Sequence, residues 1–166
     1  MKINNRGFTL LELLVVVAII GILASLIVVA IGDSRPRARD SRRASDMRQV
    51  ISAQEWIINE DNRYIMLPQQ ETIPAAISAS GNRRLAELID PLNNARHKYI
   101  WVGNAADCGA AGAGKYYCAI AKMEQPGVCG AGQTRYVIAT NRGTKEVCDA
   151  ADLVANPPNC AWCLAI

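Results

Sequence analysis

Hydrophobic and polar positions are unevenly distributed along the chain, and the unevenness divides it. Leu13 to Ile31 is apolar apart from Ser25 and the small Gly21, and residues 13–32 carry no charge. A helix over that stretch is about 30 Å long, the thickness of a bilayer's hydrocarbon core. Lys2 and Arg6 precede it, a short basic start that holds this end on the cytoplasmic side and sends the remainder across. From Ala44 the pattern changes to steps of three and four: Ala44, Met47, Val50, Ile51, then Ile57 and Ile58, with Gln54 interrupting. That spacing predicts one apolar stripe on a helix that buries itself against a small domain. Between the two patterns, arginines at 35, 37, 39, 42, 43 and 48 alternate with Asp33, Asp40 and Asp46. Same-face pairs (Asp33 with Arg37, Asp40 with Arg43, Arg42 with Asp46) predict a water-exposed stretch of helix. Gly32 and Pro36 predict a bend at the membrane exit. Asn59, Asp61 and Asn62 stop the helix, which from Phe8 would run about 80 Å.

Beyond residue 63 the periodicity shortens. Pro68 and Pro74 punctuate a connection, and Leu85, Leu88 and Ile89 within Arg83 to Asp90 predict one short helix before Pro91. Tyr99 to Val102, Lys115 to Ala121, Arg135 to Thr140 and Lys145 to Cys148 are rich in aromatic or β-branched residues and read as antiparallel strands. The predicted class is therefore α+β: a long amino-terminal helix, apolar in its first half and amphipathic in its second, covering a small antiparallel sheet.

Composition changes this picture only a little. The 166 residues carry a net charge of +3, too small to imply a polyanionic partner, and at 51% apolar residues the chain is not disordered. The cysteines add more. All six, Cys108, Cys118, Cys129, Cys148, Cys160 and Cys163, lie in the last third, as a disulfide set does in an exported domain. Spacing does not choose among the pairings.

Glu12 is the one acid inside the apolar run. A carboxylate there costs several kcal/mol unless it is paired, and no Lys or Arg follows it three or four positions later. The apolar run is also longer than a secretory signal's, and no Ala-x-Ala cleavage site follows it. Gly7-Phe8-Thr9-Leu10-Leu11-Glu12-Leu13-Leu14-Val15-Val16-Val17-Ala18-Ile19-Ile20-Gly21-Ile22-Leu23-Ala24 resembles, nearly residue for residue, the amino terminus of type IV pilins and type II secretion pseudopilins. The resemblance implies cleavage by a prepilin peptidase between Gly7 and Phe8, N-methylation of Phe8, and an assembly role for Glu12. There its carboxylate meets the new amine of a neighbouring copy and fixes register. It divides the chain into a leader (1–7), a membrane helix that becomes filament core (8–32), its amphipathic continuation (33–62) and a disulfide-containing head (63–166).

Implied partners are further copies or related minor subunits, the peptidase, an inner-membrane platform with a cytoplasmic ATPase, and the bilayer before assembly. Implied location is the inner membrane with the head outside, then a periplasmic or extracellular filament. The family often closes its carboxy-terminal loop by a disulfide, which here implies Cys148 with Cys160 or Cys163. The family also commonly has a proline where Val29 stands, so a proline-linked melted segment does not carry over.

Other motifs are weighed against this reading. Gly109 to Lys115 has the spacing of a phosphate loop, but Tyr116 stands where Ser or Thr would hold magnesium. Cys160-Ala161-Trp162-Cys163 has redox-dithiol spacing without a neighbouring His or Lys, and reads as structural. The cysteines lack the paired short spacings of a zinc site. Asp149 and Asp152 are the calcium candidates that the resemblance suggests, though two acids fall short of the six to eight oxygens calcium takes. His97, between Arg96 and Lys98, reads as a solvent-facing residue, and with a single histidine no Ser-His-acid grouping can be built. No cofactor and no enzymatic activity are expected, and the interspersed aspartates argue against nucleic-acid binding. The competing reading is a non-polymerising membrane-anchored protein that binds DNA or a surface ligand.

Overall fold

The computed structural model describes residues 7–32, 34–102 and 114–165, and side chains at 28–32, 160 and 164 are not described. The chain forms two compact units, Met1–Arg35 and Pro36–Ile166. In the first, α1 (Leu10–Gly32) is one helix with its described side chains exposed. Ser25, its one hydroxyl, donates to the Ile22 carbonyl oxygen at 2.7 Å and so satisfies itself within the helix. Among the described residues, nothing in this unit covers the apolar surface of α1.

The second unit begins in α2 (Ser34–Asp61). Pro36 falls in its first turn, where a missing N–H is tolerated. Asp33, and with it the predicted pair with Arg37, lies outside the described residues. The apolar stripe is as predicted: Met47, Val50 and Ile57 are fully buried, and Ala44, Ile51 and Ile58 are partly so. Ile57 packs with Ala76 and Leu85, and the others pack on a four-stranded antiparallel sheet with the order β3 (Tyr99–Val102), β4 (Cys118–Lys122), β5 (Thr134–Thr140), β6 (Gly143–Asp149). Consecutive strands are neighbours and antiparallel, and Thr140 pairs with Gly143 across a two-residue turn. Gly143 takes a φ of 111°, closed to other residues. Met47 and Val50 share one core with the small side chains of Ala119, Ala121 and Ala139 on the sheet.

The reverse face of the sheet is also dry, which the strand patterns alone do not announce. Ile100, Ile120, Tyr136 and Ile138 pack there with Leu153, Val154 and Cys163 from the carboxy-terminal segment. That segment ends in α3 (Cys160–Ala165), started by Asn159, whose Oδ1 accepts the Trp162 N–H at 3.0 Å.

Three expectations are corrected. Arg83 to Asp90 is not a helix: β2 (Arg83–Leu85) pairs with β1 (Ala76–Ile77), and Leu88 exchanges backbone hydrogen bonds with Ile73. A segment this short cannot sustain a helix when strand partners are at hand. The charged part of α2 is not uniformly wet either, since Asp40, Arg43 and Asp46 are buried. Finally, Cys148 bonds to Cys129, and Cys163 to Cys118, which overturns the expected Cys148 partners and leaves Cys163 in a structural bridge. The turn between β4 and β5 brings Cys129 to the strand that carries Cys148, so the nearer partner wins. Cys108 lies outside the described residues.

Candidate assembly and processing site

The amino-terminal motif is organised by a reciprocal cap. Thr9 precedes α1, and its backbone N–H and its hydroxyl both donate to Glu12 Oε2, at 2.9 and 3.0 Å. The Glu12 N–H donates back to Thr9 Oγ1 at 3.2 Å. This is a capping box, in which a Thr-x-x-Glu sequence satisfies donors that a helix start leaves unpaired. Sequence reasoning treated Glu12 as lacking a partner in its own chain, yet Thr9, three residues earlier, was the signal that could have found one. Gly7 and Phe8 lie just ahead of the cap, and Phe8 is 83% exposed. A Cβ added at Gly7 would meet nothing within 4 Å, so both sides of the predicted scissile bond are open. The helix that follows is long and apolar enough over Leu10–Ile27 to cross a membrane.

In the second unit a different arrangement holds the head together. Arg43, fully buried, donates through Nε and Nη2 to Asp90 at 2.6 and 2.8 Å, and through Nη1 to Asp40 at 2.9 Å and Glu124 at 2.7 Å. Arg39 grips Glu124 from outside at 2.6 and 2.7 Å. Asp40 accepts the backbone N–H groups of Glu124 and Gln125, both at 2.9 Å. Burial works against the charge on Arg43, but its hydrogen bonds to Asp90 and Glu124 outweigh it and raise the pKa. The hydrogen bond from Arg39, then that from Arg43, lowers the Glu124 carboxyl to about 2 despite its desolvation. Nearby, Tyr99 donates its hydroxyl to Asp46 at 2.7 Å. Asp40, Arg43, Met47, Val50, Gln54 and Ile57 continue one stripe at steps of three and four, a signal of burial hidden by their polarity.

The remaining candidates disperse. His97 is not fully solvent-facing: its Nδ1 is buried with no hydrogen-bond partner, and burial followed by the Arg43 charge lowers its pKa. Asp152 is engaged by Lys122 at 3.0 Å, and Asp149 accepts the Ala151 N–H at 2.8 Å. Among the described residues no three His, Cys, Asp or Glu side chains are grouped to hold a metal ion. Gly109 to Ala113 of the phosphate-loop-like run lie outside the described residues.

Residues 2–31 match the family described as "Prokaryotic N-terminal methylation motif". The chain is 40% identical over 61 residues to the type IV major pilin protein PilA of Myxococcus xanthus, covering 37% of this chain and 28% of that protein. It is 41% identical over 61 residues to type II secretion system core protein G of Pectobacterium carotovorum, covering 37% and 39%. It is 38% identical over 61 residues to the type IV wide pilus major component PilA4 of Thermus thermophilus, covering 37% and 47%. The match thus spans less than half the length of each of these relatives. No solved structure matches the chain.

Proposed function

We propose that the chain is a structural subunit of a type IV pilus or a secretion pseudopilus, made as a precursor and polymerised through α1. The observation that carries this reading is an apolar helix whose described side chains are exposed, opened by a methylation-motif sequence and capped by an acid. Such a surface needs either lipid or copies of itself, and a subunit that passes from one to the other uses both. In this reading a prepilin peptidase cuts between Gly7 and Phe8 and Phe8 is N-methylated. The subunit sits in the inner membrane with its head outside until a platform and ATPase move it into the filament.

Glu12 then has two successive partners. In a single copy Thr9 satisfies one carboxylate oxygen, Oε2. In the filament the other oxygen takes the cationic amine of a neighbouring Phe8, and pairing in an apolar surround selects one axial offset. Pilus and pseudopilus relatives match over the same length with similar identity, so both destinations stay within the proposal.

The test is mass spectrometry of membranes and of sheared surface filaments, with Glu12→Ala and Thr9→Ala compared. Removal of residues 1–7 and a methyl group on Phe8 are expected in the filament. Fibre yield should fall with Glu12→Ala while membrane insertion persists. Thr9→Ala, which loses only the cap, about 1 kcal/mol, should retain most of the yield. Full fibre yield from Glu12→Ala would refute the assembly role, and an unprocessed amino terminus in the filament would refute the reading.

A further inference from the structure

Arg43 holds two loops at the same end of the second unit, the end at which α2 begins. Through Asp90 it fixes the loop that carries Ile89 and Leu92, and through Glu124 it fixes the turn that carries Val128. These side chains are 46%, 36% and 92% exposed. Apolar groups held in the open by a buried ion network are not loose ends, because the network positions their backbone. Cations accompany them. Arg37 and Arg96 are exposed with no side-chain hydrogen bond or ion pair among the described residues, and Arg42 is two-thirds exposed with only a 3.9 Å approach to Asp46. The chain reaches this end at Pro36, four residues after the last residue of α1.

Exposed apolar tips among exposed arginines match an anionic lipid surface, in which apolar side chains enter the headgroup boundary and guanidinium groups meet phosphates. We propose that before assembly this end of the head seats on an anionic phospholipid surface, with Val128, Ile89 and Leu92 in the interface and Arg37, Arg42 and Arg96 on the phosphates. The inference rests on the reading of α1 as a membrane helix. Seating would give the unassembled subunit a defined pose, and leaving the membrane would then include breaking these headgroup contacts.

The test uses the full chain reconstituted in vesicles of phosphatidylcholine alone, or of phosphatidylcholine mixed with phosphatidylglycerol, with brominated acyl chains as quenchers. Val128→Trp places a reporter at the proposed seat. Ile77→Trp places one on β1, beside the far end of α2, at a position 44% exposed. The signal of the three native tryptophans is subtracted using the unsubstituted chain. Val128→Trp should be quenched strongly in the anionic vesicles and Ile77→Trp little. Replacing Arg37 or Arg96 by Gln should lower the ratio of seated to unseated heads about fivefold each.

Alkaline extraction separates the two ways of failing. A chain that washes off the vesicles overturns the membrane-helix reading and the seat together. A chain that stays inserted but quenches equally at both reporters overturns the seat alone. Equal quenching of Val128→Trp in neutral and anionic vesicles overturns the arginine–phosphate assignment. Shielding of Val128 only in sheared filaments would give the surface to a second copy and overturn the proposal.

Discussion

Arg43 and Asp90 lie 47 residues apart in sequence and meet as a fully buried, two-pronged ion pair with contacts of 2.6 and 2.8 Å. One end of the pair is on the helix and the other on a loop with little regular structure, so the pair substitutes for secondary structure in holding residues 86–94 to the fold. Burying two charges is expensive, and the return comes from complete hydrogen bonding: each Asp90 oxygen faces one guanidinium nitrogen, and the third nitrogen is shared between Asp40 and Glu124.

Removing one partner should cost far more than the pair contributes net. Asp90→Ala leaves Arg43 charged and partly unsatisfied inside the protein, and is expected to destabilise the head by about 3 to 5 kcal/mol. Denaturant unfolding of the detergent-solubilised chain, followed by tryptophan fluorescence, would measure it. Arg43→Lys should also destabilise, because one ammonium cannot reproduce the fork that meets Asp90.

Acid should attack this network within a defined window. Glu124 titrates at about 2 in the folded chain against an ordinary 4.5, and the Asp90 carboxyl, disfavoured by burial but held by Arg43, is also lowered. A depressed carboxylate stabilises the fold above its unfolded pKa and loses that contribution as pH falls through the folded value. Stability is therefore expected to decline between pH 4.5 and about 2. Glu124→Gln should be less stable at neutral pH and show a shallower decline across the same range, read from melting temperatures at stepped pH.

Peptide mapping under non-reducing conditions should recover Cys118 with Cys163 and Cys129 with Cys148. The first closes a separation of 45 residues and the second one of 19. On a chain-entropy account their loss costs about 4 and about 3 kcal/mol respectively. Cys163→Ser should accordingly lower the midpoint of denaturant unfolding more than Cys129→Ser does.

Gly7 offers a clean test of processing. Because open space surrounds its Cα, Gly7→Ala disturbs nothing in the folded chain, and any slowing of cleavage must arise where the peptidase reads the junction. Accumulation of the uncut form on a gel, with unchanged thermal unfolding of the head, is the expected result.

Much of the architecture could be read from residue pattern. Met47, Val50 and Ile57 announce a buried helix face through spacing, and Tyr99 to Val102 announces β3 to the residue because its aromatic and β-branched run ends in glycine. What escaped was everything that depends on partners distant in sequence. Arg43 looks like one of several surface arginines until Asp90 and Glu124 arrive beside it. Leu85 and Leu88 keep helix-like spacing, but β1 and Ile73 recruit them for strand pairing. At the candidate site the motif from Gly7 to Glu12 is plain in the sequence, whereas charge pattern alone does not announce the Thr9 cap, because the partner of Glu12 is a hydroxyl and an amide rather than a cation.

The Cys118–Cys163 bond bears on what happens when the subunit is under tension. A pull delivered through the amino-terminal helix can unravel the chain only until it meets that cross-link. The chain between the two cysteines, a separation of 45 positions or about 150 Å of extended polypeptide, cannot be paid out while the bond lasts. A fibre of such subunits would lengthen less before stiffening than one whose heads could uncoil to the end.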